Sequence, residues 1–119
     1  MRRRVVVEVL LWLPALFLVY VFLRQGFGKF DAQGGWARAF AAWHFPVWFR
    51  IAVGAAEIAA GLLLLVRRTA FFGAALIAAI MISAMLTHVY WHRPKAVTNE
   101  VFPLALATVV MIGRRPRAQ

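Results

Sequence analysis

Residues 48–66 read WFRIAVGAAEIAAGLLLLV. The run suits a membrane span, because an α-helix needs roughly 20 apolar residues to cross a hydrocarbon core of ~30 Å. It also carries one carboxylate, Glu57, among alanines, glycines and leucines. Three more apolar runs lie at about 5–23, 70–90 and 97–112, separated by short polar or basic breaks. The last is short, which implies little tilt or a locally thinned bilayer. The chain has 119 residues, 64% of them hydrophobic, against about 45–50% in soluble domains. A soluble domain of this length has no interior large enough for four such runs. The expected fold is all-α: a four-helix transmembrane bundle forming one integral membrane domain over residues 1–119.

The start, MRRR before an apolar run, has the form of a signal peptide. The run is long, however, and leads into FLRQGFGKF instead of a small-residue cleavage site, so it reads as a retained anchor and first helix. Pro14 near its middle predicts a kink. The net charge is +10, but the basic residues cap the apolar runs and form no single stripe. A nucleic-acid partner is not expected, since a basic footprint gathers on one face. Arg2, Arg3, Arg4, Arg67, Arg68, Arg114, Arg115 and Arg117 fall on one side of the expected bundle. Arg24, Lys29, Arg38, Arg50, Arg93 and Lys95 fall on the other. The tight arginine clusters favour both termini in the cytoplasm. The chain has no cysteine, which removes disulfides, thiolate catalysis and cysteine-held iron–sulfur clusters.

Residues 24–47 form the one long connection, on the outer side in this topology. Within it, GGWARAFAAWHFP places Trp36, Phe40 and Trp43 at i, i+4 and i+7. This predicts a short interfacial helix over about 35–45, opened by Gly34 and Gly35 and ended by Pro46. It anchors the bundle or serves as an aromatic lid over a ligand.

Topology also sets the depth of the ionisable residues. Glu57 lies nine residues beyond Trp48, or about 13 Å at 1.5 Å per residue. The third helix ends at THVYWH, and the fourth begins at VTNEVFP with Glu100 in its first turn. Lys29 follows the first helix. Lys29, Glu57, His88 and Glu100 therefore converge on the outer half. Gly54 and Gly61 share the face of Glu57 and allow a close neighbour, for which Ala75, Ala79 and Ser83 offer a matching series. Glu57 should face the bundle interior, because a charge facing lipid costs about 3 kcal/mol or more. It takes up a proton, or pairs with Lys29, Arg50 or protonated His88. Two readings stand: a clasp between helices, or a group that handles a ligand or proton. His88 and His92 are an i, i+4 pair, but they lack a third metal ligand unless Glu100 supplies it, so no metal site is expected. Asn99 suits an N-cap, with Pro103 fourth in the helix and Glu100 at its positive end.

The order of these motifs resembles the DoxX family of small bacterial membrane proteins. The matching segments are LRQGFGKF after the first helix, AWHFP closing the aromatic connection, AAEIAAGLLLLVRRTA, ALIAAIMISAMLTH, and NEVFP opening the last helix. The resemblance spans about residues 15–112 and singles out Lys29 and Glu57. It implies a four-helix bundle in the bacterial cytoplasmic membrane, and in some members an association with oxidoreductase systems. Three functions follow as expectations. One is an accessory or anchoring subunit for a redox enzyme partner, with no intrinsic cofactor. Another is binding of a quinone or other lipophilic molecule at the outer polar cluster. The last is a small proton-coupled transporter, as a homo-oligomer.

Overall fold

The computed structural model of the chain describes residues 2–91 and 98–115. All regular structure among them is helical: α1 (Arg2–Gly28), α2 (Gly35–Ala42), α3 (Val47–Leu64), α4 (Ala70–Tyr90) and α5 (Thr98–Arg114). Helices α1, α3 and α4 are long and apolar enough to cross a membrane. Helix α5, with 17 residues, rises about 26 Å and is not among those three. The four longer helices close a ring, with α1 and α4 each packed on α3 and α5, while α2 lies on α3. Outward faces are apolar, with Leu13, Tyr20, Leu62, Ile82, Leu86 and Val109 all exposed. Only a lipid surrounding makes that coat favourable.

Two features fix how the helices run. Glu8 near the start of α1 accepts two hydrogen bonds from Arg114 at the end of α5, at 3.0 and 2.9 Å. Its carboxylate also pairs with Arg67 of the α3–α4 turn at 2.9 Å. The start of α1, the end of α5 and the α3–α4 turn therefore share one end of the bundle, here termed the termini end. Next to it sits the packed core of Leu18, Phe22, Leu64, Ile77, Ala107 and Val110. The α2 segment covers the opposite end.

Helix α1 extends past the apolar run through Arg24–Gly28, and it also continues through Pro14. Close packing on α3 explains the extension. A Cβ on Gly26 would lie 2.8 Å from the carbonyl oxygen of Gly54, and one on Gly54 would lie 2.9 Å from that of Gly26. Gly61 faces Leu23 and Val19. The glycine face of α3 therefore packs on α1, and not on the Ala75, Ala79 and Ser83 series expected from sequence. Helices α3 and α4 meet instead at Gly73, where a Cβ would come within 2.7 Å of the Ala60 carbonyl oxygen.

Helix α2 ends at Ala42, before Pro46, which instead precedes the first turn of α3. The stop is a Schellman turn: Phe45 N–H donates to Phe40 at 3.0 Å and His44 N–H donates to Ala41 at 3.0 Å. His44 occupies the left-handed position usually given to glycine, with φ of 62°. Its ring packs against Trp91, with centroids 5.4 Å apart. Helix α5 begins at Thr98, so position 99 lies inside its first turn and not at the N-cap position. Pro103 is the sixth helical residue, and one intrahelical hydrogen bond is forgone.

The α1–α3 seam gives a direct test. Gly54→Leu should force the two helices apart and lower unfolding free energy by about 1–3 kcal/mol. Ala55→Leu, one residue on and exposed to lipid, should be close to neutral. Thermal unfolding of both variants in detergent measures the difference.

Candidate functional site

Between the core and α2 lies a cavity of about 440 Å³, within the range of small-molecule sites. Its walls come from every helix. Gln25 and Lys29 belong to α1 and its end, and Val53 and Glu57 to α3. Ser83, Thr87 and His88 come from α4, and Glu100 and Pro103 from α5. Helix α2 and its C-cap residue roof the cavity with Trp36, Phe40 and Trp43. All four polar residues singled out in the sequence therefore meet in one chamber, as do the three aromatic residues.

Glu57 is only 1% exposed, and its Oε1 lies 2.5 Å from Lys29 Nζ, itself on a side chain 3% exposed. The contact is an ion pair without regular hydrogen-bond geometry at Oε1, and the ammonium is the cation the described residues bring to this carboxylate. The ammonium also sits 3.7 Å from the centroid of the Trp36 ring, which adds a cation–π contact. The glycine seam makes this pair possible. Gly54, one turn before Glu57, would place a Cβ 2.9 Å from the Lys29 Cβ. A larger residue there would push Lys29 out of reach.

His88 pairs elsewhere. Its Nδ1 lies 3.1 Å from Glu100 Oε1, at ion-pair distance but off the direction of a regular hydrogen bond. Glu100 Oε2 is buried without a described hydrogen-bond partner. Glu100 thus lies both in the first turn of α5, where the helix dipole favours a negative charge, and on the chamber wall. Arg50, a partner expected for Glu57, is buried and makes no ion pair with a described residue. His92 lies outside the described residues. Among the described residues, no three His, Asp or Glu side chains gather closely enough to hold a metal ion.

Among the lining residues not singled out in the sequence are Phe45 and Phe49. They flank Pro46 at i, i+4, with ring centroids 4.8 Å apart. That spacing was the available signal. Both pack on Phe40, at 5.7 and 6.2 Å, so the roof and the start of α3 form one aromatic cluster. Trp43 extends the cluster to His88, at 5.6 Å. On α4, the hydroxyls of Ser83 and Thr87 donate to the carbonyls of Ala79 and Ser83, each at 2.9 Å. Ala79 and Ser83 line the chamber and are also exposed. That part of α4 therefore borders both the chamber and the outside.

The ion pair predicts a sharp asymmetry between single and double substitution. Lys29→Met strands a buried carboxylate and should cost about 3–5 kcal/mol. Lys29→Met combined with Glu57→Leu should recover most of that loss. A double-mutant cycle on detergent unfolding measures the coupling.

A family model described as the DoxX-like family matches residues 13–112, most of the chain. No curated protein matches. No solved structure matches either.

Proposed function

The chain belongs to the DoxX-like family, and we propose that it is a multi-pass protein of the bacterial cytoplasmic membrane that holds a lipophilic molecule under α2. The ligand class is a ring with polar substituents, of quinone type. One observation carries the reading: an aromatic roof and buried ionisable groups line a single cavity of ligand size. Apolar surroundings with a few placed polar groups are the ordinary make-up of a small-molecule site. Ala79 and Ser83, at once lining and exposed, favour entry from the lipid, where such a molecule is concentrated.

In this reading α5 is the fourth crossing. Its end meets the start of α1 through Glu8 and Arg114, which supports both termini on one side. The exposed Arg2, Arg3, Arg4, Arg67, Arg68 and Arg115 lie at that end or continue from it. By the positive-inside rule it faces the cytoplasm, and α2 faces outward. A homo-oligomer is not needed to complete the chamber, since one chain supplies every wall. The apolar core beneath the chamber argues against a proton-coupled carrier, which needs a polar path across both halves.

Titration of the purified protein with a short-chain quinone analogue tests the ligand reading. Trp36 and Trp43 supply the signal. Wild type should show saturable quenching, and His88→Ala should weaken binding about tenfold, as for loss of one hydrogen bond to a charged or polarised group. Equal, weak quenching in both proteins would sink it.

A second reading concerns service to a membrane redox system as an accessory or anchoring subunit. The arginine rim favours it, because an exposed cationic face suits an acidic partner surface. Thiol chemistry would have to come from that partner, since the chain has no cysteine. Tagged protein purified from native membranes should bring down an oxidoreductase, and do so less at raised salt. Repeated recovery of the chain alone would count against a partner.

A further inference from the structure

The chamber divides its polar groups unevenly. Its cation is already engaged, because Lys29 faces both the Glu57 carboxylate and the Trp36 ring. The α4–α5 wall is different. Ser83 and Thr87 spend their hydroxyl protons on carbonyls of their own helix, which leaves only lone pairs to offer. Glu100 Oε2 is an acceptor on a residue 7% exposed, without a described hydrogen-bond partner. The His88 Nδ1 faces the Glu100 carboxylate. That nitrogen makes no hydrogen bond of regular geometry there, so the ring does not satisfy the carboxylate.

From this inventory we infer that the α4–α5 wall, centred on His88 and Glu100, selects a ligand by its hydrogen-bond donors. The class is an aromatic head group bearing hydroxyls, a phenol or hydroquinone, in preference to the same ring carrying carbonyls. The hydroxyl protons point to the acceptors of the wall, and the ring lies under the aromatic roof. A carbonyl presented to the same wall would set acceptor against acceptor and leave both buried without a partner. Sites built for one hydrogen-bonding sense reject the other strongly. The inference deepens the proposed function and rests on it. It also separates the two carboxylates: Glu57 holds Lys29 in place, and Glu100 with His88 reads the ligand.

A hydroquinone and its quinone differ by two electrons and two protons and little in shape, so they isolate the effect. The experiment is an anaerobic tryptophan-quenching titration of the full chain in detergent, with a decyl-substituted hydroquinone and with its oxidised form. Wild type should bind the hydroquinone at least tenfold more tightly. Glu100→Gln places an amide donor on the wall, and it should shrink the preference to within about threefold, chiefly by admitting the oxidised form. Equal affinities in wild type, or tighter binding of the quinone, would overturn the inference and leave the ligand reading intact. Failure of both forms to bind would remove the ligand reading and the inference together. The wild-type ratio decides the matter even where Glu100→Gln does not fold.

Discussion

The pairing of Lys29 with Glu57 constrains everything around it. A carboxylate in a low-dielectric interior is costly unless an opposite charge meets it closely. Lys29 can reach Glu57 only if the end of α1 lies against the middle of α3. That contact needs residues without side chains at the crossing, and Gly26 and Gly54 provide them. It also needs α1 to stay helical beyond its apolar run, as far as Gly28. Trp36 then closes over the ammonium, which ties α2 to the pair. One electrostatic requirement thus accounts for a helix length, a glycine seam and the position of the roof.

The same constraint divides the bundle into two unlike halves. Toward the termini end, Gly73 seats α4 on Ala60, and small and branched residues fill the interior. Toward the α2 end, the same two helices carry Val53 on one side and Ala79 and Ser83 on the other, and a chamber lies between them. The Glu8–Arg67–Arg114 cluster sits at the packed end, where two guanidinium groups share one carboxylate. Each end is therefore fixed by its own ionic contact. The chamber can stay unfilled without loosening the fold, because the packing that holds the helices lies elsewhere.

Much of this was legible in the sequence, for reasons that differ by residue. Apolar run lengths and their alternation required the helices, and alternation alone brought Lys29, Glu57, His88 and Glu100 to one end. Trp36, Phe40 and Trp43 were visible through helical spacing. The neighbour of the glycine face was not visible. Gly54 and Gly61 define a face, but helical periodicity does not say which helix meets it, and Gly26 looked like part of a loop. The Glu8–Arg114 contact joins residues 106 positions apart, and Glu8 had no local signal of a partner. Partner choice within the polar cluster was equally hidden. Arg50 and His88 were as plausible for Glu57 as Lys29 until the α1–α3 seam set the distances. The boundaries of α2 and α5 shifted because a Schellman turn at His44 and a start at Thr98 leave weak composition signals.

The glutamate at position 57 stands out in the sequence, yet its very burial argues against the role its prominence suggests. A carboxylate 1% exposed and held by an adjacent ammonium has little capacity left for a ligand, and displacing its partner would break the seam that positions α1. Glu100 is plainer in sequence, a residue that a helix dipole explains by itself. In the folded chain it keeps an oxygen without a described hydrogen-bond partner at a cavity wall, beside a histidine. Buried polar groups are normally satisfied, so an unmet one calls for an occupant. The conspicuous charge is spent within the fold, and the ordinary one stands on the chamber wall, where the proposed ligand would meet it.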